Sequence, residues 1–407
     1  MSPDEERNAR GEANRAILVV VFATILIDFI GFSVLIPVLP LFAERLGATP
    51  VQVGLILALY ALSQLLFLPM WGWISDRIGR RPVLLVSLLG TTGSFVLLAF
   101  APTIAWVYAA RIIAGFFAAS IGTAQAVVTD VTDASERASG MGVIGAAFGA
   151  GMIVGPILGG GLATVSAHAP FIGVAVLAGA SLVLAWFALP ETRPPELERP
   201  RWNELGRALV PTPIVVFFQV HDRRIATYLG LFFVFFTSFA VLEAMATLFM
   251  ARRFAKDEVD AAIFFAWIGV FLVLTQGILL RRLVGVVGEA RLLIGGLALM
   301  SIGIAGISVV PNYPTFFALG AVIAVGQGIS FPPFTSLYSK ACRSEQAGEL
   351  LGQSNAMATF GRVVGSIGGG WALQSDLGLP FLASGALMAF GLVVFLVFRR
   401  GLVQGLE

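Results

Sequence analysis

Four ionisable residues stand inside long apolar stretches of this sequence. Asp28 lies in LIDFIG, Arg111 begins RIIAG, Glu243 lies in AVLEAMATLF and Arg362 lies in FGRVVGSIGGG. Because an ionised side chain is costly in apolar surroundings, such residues usually face a partner or a water-filled cavity. Carboxyl groups in such places can bind and release a proton, and guanidinium groups can pair with them or with an anion.

Asp28 is the first candidate for proton chemistry. Apolar residues flank it on both sides, so in one interpretation its carboxyl loads and releases a proton or binds a solute. In the other it is a structural carboxylate, permanently paired with a base or bonded to a serine. For Arg111 the alternatives are tuning the proton affinity of Asp28 and forming a hydrogen bond between helices.

Glu243 follows a phenylalanine-rich stretch, LFFVFFTSF, in which no neighbour offers it a cation. It is therefore protonated, paired across a cavity or exposed to water in a pathway, and each option makes it a second candidate for proton coupling or cation recognition. Arg362 is a candidate charge partner for Glu243 or an anchor for an anionic solute. Gln64 and Gln276, which are uncharged, either line a cavity or join helices by hydrogen bonds.

The elements that must position these side chains are membrane-spanning helices. Of the 407 residues, 57% are hydrophobic and 12% are charged, about half the charged share of a soluble domain. Continuous apolar stretches of about 18 to 25 residues, the length that crosses a bilayer, predict helices rather than alternating barrel strands. The twelve predicted spans cover residues 17–42, 51–71, 83–101, 103–127, 140–163, 169–189, 225–251, 260–280, 291–310, 314–338, 347–373 and 378–398.

The distribution of basic residues predicts the orientation. Of the 26 Lys and Arg residues, twenty fall in the two tails and the connections after even-numbered spans, four fall in the opposite loops and two lie inside spans. Because basic residues are retained on the cytoplasmic side, both termini are expected in the cytoplasm. The first sixteen residues lack the features of a cleavable signal peptide.

An internal repeat divides the chain into halves. GMIVGPILGG from Gly151 and GRVVGSIGGG from Gly361 share glycines at an offset of 210, and DRIGRRPVLL faces GVVGEARLLI at an offset of 209, as ASERA faces RSEQA. A parallel duplication explains these matches. The predicted organisation is a tail over 1–16, a six-helix bundle over 17–189, a linker over 190–224, a second six-helix bundle over 225–398 and a tail over 399–407.

The connection between the second and third spans carries the most specific motif. GWISDRIGRR, from Gly72 to Arg81, matches the G-x-x-x-D-R-x-G-R-[RK] signature of the major facilitator superfamily. RIIAG in the fourth span and GxxxGPxxGG in the fifth, a mark of antiporters within that superfamily, strengthen the match. The chain therefore resembles twelve-helix drug:proton antiporters, and LIDFIGFSVLIPVLPLF with ALYALSQLLFLP is similar to the tetracycline efflux proteins.

The resemblance implies an all-α membrane protein with the major facilitator fold. Twelve transmembrane helices would form two six-helix bundles related by a parallel pseudo-twofold axis around a cavity. Asp28, Gln64 and Gln276 match positions of the efflux family. Where those efflux proteins carry an aspartate, a histidine and an aspartate, this chain has Ser94, Leu272 and Leu299. The resemblance therefore implies the general machinery but not tetracycline as the substrate.

The signature motif is expected to form a gating loop that comprises Gly72, Asp76, Arg77, Gly79, Arg80 and Arg81. Gly72 permits a tight exit from the second helix. The resemblance places Asp76 at the N-terminus of the eleventh helix, whose dipole favours a negative charge. The arginines either hold this latch and meet anionic lipid headgroups or simply set the topology.

The glycine-rich fifth span predicts close helix packing with a bend at a proline. Small residues spaced by three or four let two helices approach closely, and a proline inside a helix favours a kink. In the functional interpretation this bend also seals a leak path during exchange, whereas the alternative is packing alone. The residues are Gly151, Gly155, Pro156, Gly159 and Gly160.

These patterns together predict a secondary active transporter. The expected activity is proton-coupled antiport that exports a small amphipathic or lipophilic organic solute by alternating access. One alternative is a facilitator or symporter for an organic anion, with Arg111 and Arg362 as anchors, and another is a receptor or scaffold that binds without translocating. No enzyme activity is expected, because no nucleotide-binding glycine loop and no nucleophile with a base is found.

The remaining expectations concern partners and location. The single cysteine, Cys342, allows no intrachain disulfide, and His168 and His221 fall in loops, so neither a metal nor a cofactor is expected. The expected partners are the organic solute, protons and membrane lipids, without nucleic acid. The chain is expected to work as a monomer in the plasma membrane, a bacterial inner membrane by resemblance.

Overall fold

The computed structural model describes residues 3–132, 137–193, 222–341 and 347–404, which are mostly helical and contain no strand. The helices are α1 Pro3–Arg45, α2 Pro50–Ile78, α3 Arg80–Ala99, α4 Ile104–Phe116, α5 Ser120–Val131, α6 Arg137–Ala163, α7 Ala169–Ala188, α8 Arg223–Phe254, α9 Glu258–Leu274, a π-helical turn Thr275–Leu279, α10 Leu280–Val287, α11 Glu289–Ile307, α12 Tyr313–Ala341, α13 Ala347–Ser375 and α14 Leu379–Val403. Eleven helical stretches in this part of the chain are long and apolar enough to cross a membrane. Helix α13, with 29 residues, is long enough but more polar. The predicted all-α membrane fold is confirmed.

Several helix boundaries differ from the sequence prediction. Helix α1 begins at Pro3, so most of the predicted tail over 1–16 is helical. The fourth span is broken into α4 and α5, and the eighth contains the π-helical turn. Most of the predicted linker, with His221, Cys342 and most of the ASERA and RSEQA segments, lies outside the described residues. The predicted bundle boundaries therefore stay a prediction.

Contacts divide the chain into two compact units, Met1–Leu35 with Leu66–Val210 and Ile36–Leu65 with Pro211–Glu407. In the first unit α3 packs against α4, α5 and α7, and α6 packs against α5 and α7. Buried aliphatic side chains such as Ile25, Leu84 and Val127 form its core. This core carries the surroundings of Asp28 and the signature motif.

The glycine face of α6 packs directly on α1 in the first unit. A methyl group added at Gly151 would stand 2.6 Å from the Cβ of Phe29, and one added at Gly155 would collide with the Ser33 hydroxyl. That hydroxyl donates a hydrogen bond to the Gly151 carbonyl at 2.8 Å. Helix α6 continues through Pro156 without a break. The glycines therefore bring two backbones together beside the Asp28 turn of α1.

In the second unit α8 packs against α13 and α14, and α11 packs against α12 and α14. Gly365 and Gly369 of α13 face α8 as the α6 glycines face α1, with Gly369 positioned so that a methyl group would stand 3.2 Å from the Met245 side chain. The turns before α3 and α11 also match, because Gly79 and Gly288 have φ of 100° and 85°. Both turns use a backbone conformation that suits glycine. The two halves of the chain thus share a glycine-rich helix face and a glycine turn at the positions of the duplicated motifs.

The second unit also contains the end of α1 and the start of α2. Glu44 pairs with Arg252 at 2.6 Å, and Arg45 pairs with Glu258 at 2.5 Å. A methyl group on Gly54 would collide with the Ser366 carbonyl. Two ion pairs, one with the acid on α1 and one with the base on α1, join the end of α1 to α8 and α9. A close backbone contact joins the start of α2 to α13, and we call this region the α1–α2 corner.

Candidate functional site

Asp28 occupies a largely apolar position in the middle of α1. Both of its carboxyl oxygens are buried, and neither makes a hydrogen bond of ordinary geometry. The nearby polar side chain is Ser120, the first residue of α5, which approaches the carboxyl as a hydrogen-bonding neighbour. Arg111 is also buried, 3% exposed, in α4. That Arg111 tunes Asp28 stays a prediction.

The neighbourhood of Ser120 is shaped by the break between α4 and α5. The regular helix is interrupted at residues 117–119, and α5 starts again at Ser120. The indole of Trp71 donates to the Phe116 carbonyl at 2.5 Å. The Ser87 hydroxyl donates to the Phe117 carbonyl and accepts from the Ala119 amide. The Ala119 amide also donates to the Phe117 carbonyl at 2.7 Å. Backbone groups at the break are thus satisfied by this local bond and by two side chains from α2 and α3.

Glu243 and Arg362 are brought together in the second unit. A guanidinium nitrogen of Arg362 lies 3.5 Å from a carboxyl oxygen of Glu243, and the two side chains are 30% and 13% exposed, respectively. The guanidinium also lies 5.6 Å from the ring centre of Phe236. Of the three options for Glu243, the structure supports pairing with a cation. The cation is Arg362, the residue that the sequence analysis named as its candidate partner.

The two glutamines occupy different local structures. Gln64 is half-buried in α2, and Gln276 is half-buried in the π-helical turn after α9. π-Helical turns within longer helices are frequent at functional sites. Leu272, at the position where the resemblance implies a histidine in the efflux family, is buried one turn before Gln276. The roles of both glutamines in a cavity stay predictions.

The signature motif does not form a loop from Gly72 to Arg81. Helix α2 runs to Ile78 and α3 starts at Arg80, so a single residue, Gly79, connects them. The expectation that Gly72 permits the helix exit is wrong, because Gly72 lies inside α2 and the turn falls at the later glycine. Gly79 has a backbone φ of 100°, a value that residues with a side chain rarely adopt, so this position requires glycine.

The arginines of the motif have different surroundings. Arg80 is buried and bonds Asp76 at 2.8 Å and Asp130 at 3.1 Å, so it links α2 to α5 rather than meeting lipid headgroups. Arg81 donates to the Trp186 carbonyl of α7, and Arg77 stacks over Trp73 at 3.9 Å. Arg77 and Arg81 therefore stay half-exposed at this end of the molecule.

Two acids near the motif were missed by the sequence reasoning. Glu191 accepts from the amides of Arg80 and Arg81 at 2.8 and 3.1 Å, so it caps the N-terminus of α3. Asp76 instead pairs with Arg193 at 2.9 Å and with Arg80. Its predicted place at the eleventh predicted span stays a prediction. Asp130 and Glu191 each follow an apolar span on the side where the arginines fall, a signal that could have identified them.

Long apolar helices that hold ionisable side chains between them define this chain as a multi-pass membrane protein. The sequence model of the Major Facilitator Superfamily matches residues 21–366. Because this match covers most of the chain, the protein belongs to the Major Facilitator Superfamily.

Named relatives and solved structures agree with this assignment. The chain is 31% identical to the tetracycline resistance protein, class C, of Escherichia coli, over 86% of this chain and 88% of the relative. It is 26% identical to multidrug resistance protein 1 of Bacillus subtilis (strain 168), over 95% of this chain and 97% of the relative. A crystal structure of the peptide transporter POT in complex with sulfate matches the fold with a TM-score of 0.76 at 14% identity, over 95% of this chain and 94% of that one.

Proposed function

We propose that this transporter is a proton-coupled antiporter that exports a small amphipathic or lipophilic organic solute by alternating access. Its similarity to tetracycline and multidrug resistance proteins supports a drug-like organic solute. A proton-coupled antiporter needs a group that binds protons on one side of the membrane and releases them on the other.

The observation that carries the proposal is the Asp28 carboxyl. Both of its oxygens are buried without a hydrogen bond of ordinary geometry, and its polar neighbour is a neutral serine. A buried carboxylate without a cation is costly. The group is therefore suited to hold a proton while it is buried and to release it when the site opens to water.

Glu243 and Arg362 have a different role in the proposal. Their charges compensate each other at 3.5 Å, and Arg362 stays 30% exposed. A solute that carries a charged group can displace one partner from the other. We propose that this pair recognises the solute, while Asp28 carries the coupled proton.

The experiment that tests the proposal separates coupling from exchange. Purified Asp28→Asn in proteoliposomes should lose uphill transport of ethidium driven by a proton gradient but keep ethidium counterflow, because counterflow needs binding and alternation without net proton movement. Asp376→Asn is the matched control, since Asp376 is exposed in the connection before α14 and an asparagine can still accept its two backbone hydrogen bonds. Uphill transport at the wild-type rate by Asp28→Asn would overturn the coupling role.

A second candidate function is import of an organic anion, as a facilitator or symporter. The partial exposure of Arg362 favours it, because an exposed guanidinium can bind a carboxylate or phosphate. The same vesicles distinguish the two functions when the panel includes an anion, carboxyfluorescein, and a zwitterion, tetracycline. Antiport moves protons against the solute, whereas symport moves them with it.

The orientation and assembly belong to the same proposal. Both termini are cytoplasmic, the membrane is a bacterial inner membrane, and one chain transports alone. The distribution of the 26 basic residues supports this orientation. The half-exposed Arg77 and Arg81 then lie at the height of the cytoplasmic lipid headgroups, where they attract anionic lipids.

A further inference from the structure

The break in the fourth span is the feature that the proposed function leaves unexplained. A membrane-spanning helix normally keeps its backbone bonded within itself, because unsatisfied amide and carbonyl groups are costly in lipid. Here the chain leaves the helix after Phe116 and resumes it at Ser120. The interrupted segment, Phe117, Ala118 and Ala119, contains neither glycine nor proline, although Gly115 stands in the last turn of α4 and its carbonyl accepts from the Ala118 amide.

Side chains from two other helices hold the break in place. Ser87, which is completely buried, accepts from the Ala119 amide at 3.2 Å and donates to the Phe117 carbonyl, so one hydroxyl bridges both sides of the interruption. Trp71 bonds the Phe116 carbonyl at 2.5 Å. Gly90 of α3 leaves room for the Phe117 ring, with which any Cβ at that position would collide. These contacts together select this geometry over a continuous helix.

The consequence of the break is a second helix N-terminus inside the span. The first amides of α5 have no partner within that helix, and the helix dipole places a partial positive charge there. Ser120 is the first residue of α5, and its side chain approaches the Asp28 carboxyl. A discontinuous helix can present its N-terminus to a negative charge in this way inside a membrane.

We propose that the break is a positioning device for Asp28, in which Ser87 and Trp71 hold the N-terminus of α5 against the carboxyl and so set how tightly it holds its proton. The inference rests on the proposed role of Asp28. Ser87 and Trp71 are positioning residues, because they act on Asp28 only through the α4–α5 backbone.

Other charged groups in this unit do not replace the device. Helix α6 contains no ionisable residue between 140 and 163, and α3 contains none between 82 and 99. In α4 the residue that is charged at neutral pH is Arg111, which is buried and stands nine positions before Ser120 in the chain. Asp130 of α5 is held by Arg80. The α5 N-terminus, through Ser120, is therefore the polar group that approaches Asp28 along this span.

The experiment titrates Asp28 directly in the full-length protein in lipid. The infrared carbonyl band of the protonated carboxyl, assigned by its loss in Asp28→Asn, is followed against pH in wild type, Ser87→Ala and Ser87→Thr. Losing the Ser87 hydroxyl should loosen the α5 N-terminus and disfavour the carboxylate, so the midpoint moves upward by about 0.5 to 1 pH unit. Ser87→Thr keeps the hydroxyl and should titrate at the wild-type midpoint.

A matched control and a second variant keep the test decisive. Ser94→Ala removes another buried hydroxyl of α3, one that bonds the Thr91 carbonyl of its own helix, and it should leave the midpoint unchanged. Trp71→Phe keeps an aromatic ring but removes the bond to Phe116, so it should shift the midpoint in the same direction by less. It also replaces Ser87→Ala if that variant does not fold.

The outcomes separate the two proposals. An unchanged midpoint in both Ser87→Ala and Trp71→Phe, while Asp28→Asn abolishes uphill transport, would overturn the positioning device and leave the proposed function intact. If Asp28→Asn removes no titrating band and keeps uphill transport, the proposed function and the inference both fail. An equal shift in Ser94→Ala would show a general effect of the helix and would also overturn the inference.

Discussion

At the scale of single residues, the two carboxyl groups within the membrane have unlike partners. Glu243 has a guanidinium 3.5 Å away, whereas Asp28 has a neutral serine as its polar neighbour and, in our proposal, the partial positive charge of the α5 N-terminus. A full positive charge holds a carboxylate ionised and attaches it to one partner. A partial charge leaves protonated and ionised forms closer in free energy. Asp28 is therefore better suited to a proton that must bind and leave in every cycle.

The Glu243–Arg362 pair should show strong coupling. Glu243→Gln or Arg362→Gln alone leaves a charge in apolar surroundings, whereas the double variant removes both charges. We expect the losses in free energy of unfolding of the two single variants to add up to more than the loss in the double variant. The difference, which is the coupling energy, should be about 0.5 to 3 kcal/mol. Thermal unfolding of the four purified proteins measures it. Additive effects would show that the two side chains act separately.

At the scale of elements, glycine faces set how closely helices approach. In α6 the glycines that face α1 leave no room for a methyl group, while Gly161 of the same helix has open space around it. The glycine-rich pattern of α6 therefore contains positions that cannot accept a larger residue beside a position that can. Distance to the neighbouring helix, rather than residue type, decides which glycines are required.

Gly155→Ala and Gly161→Ala form a matched pair for this element. The methyl group at Gly155 would meet Ser33 and the Ile30 carbonyl, so the variant should lose about 1 to 3 kcal/mol of stability through overpacking. Gly161→Ala should be neutral or gain up to about 1 kcal/mol from helix propensity. Thermal unfolding in one detergent compares them. Equal losses would mean that the α1–α6 contact is looser than the structure shows.

The ion pairs at the α1–α2 corner are a second case in which burial separates similar residues. Arg45→Gln leaves Glu258, only 7% exposed, without its cation, whereas Arg252→Gln leaves Glu44, 25% exposed, within reach of water. We expect losses of about 1 to 3 kcal/mol for the first and below about 1 kcal/mol for the second. Unfolding midpoints of the two variants, compared at equal salt, provide the measurement, and a reversed order would contradict the argument.

At the scale of the whole molecule, duplication accounts for recurring geometry. Gly79 and Gly288 adopt similar positive φ angles before α3 and α11, although the charges around them differ. Backbone requirements have therefore been kept in both halves, while the ionisable residues have diverged. The carboxyl groups of Asp28 and Glu243, for example, stand at positions that the duplication does not align.

The proposed orientation is tested on the whole chain with reporter fusions. Green fluorescent protein fused at residue 407 should fluoresce, and alkaline phosphatase fused there should be inactive, because the positive charges hold this end in the cytoplasm. A phosphatase fusion in the α1–α2 connection, at Gly47, should be active. Activity in the reverse pattern would show that the basic residues face the other side of the membrane.

The sequence by itself determined the helices, the family and the candidate ionisable residues. The length of apolar stretches, the spacing of glycines and the signature motif are local properties, so they can be recognised in the sequence without knowledge of the fold. Glu243 and Arg362 were identified in this way, and their pairing was one of the expected outcomes. The position of the required glycine was not, since α2 extends beyond Gly72 to Ile78.

Only the tertiary structure decided the partners. Glu191 caps α3 from 111 residues away along the chain, and Ser87 bridges the α4–α5 break from a different helix. Such contacts depend on which helix faces meet, and a small hydroxyl in an apolar stretch has no sequence signal of its own. The break follows Gly115, a residue type that weakens a helix, and side chains from two other helices hold its backbone in place. Tertiary contacts, which overrule local helix preference, therefore decided the surroundings of Asp28.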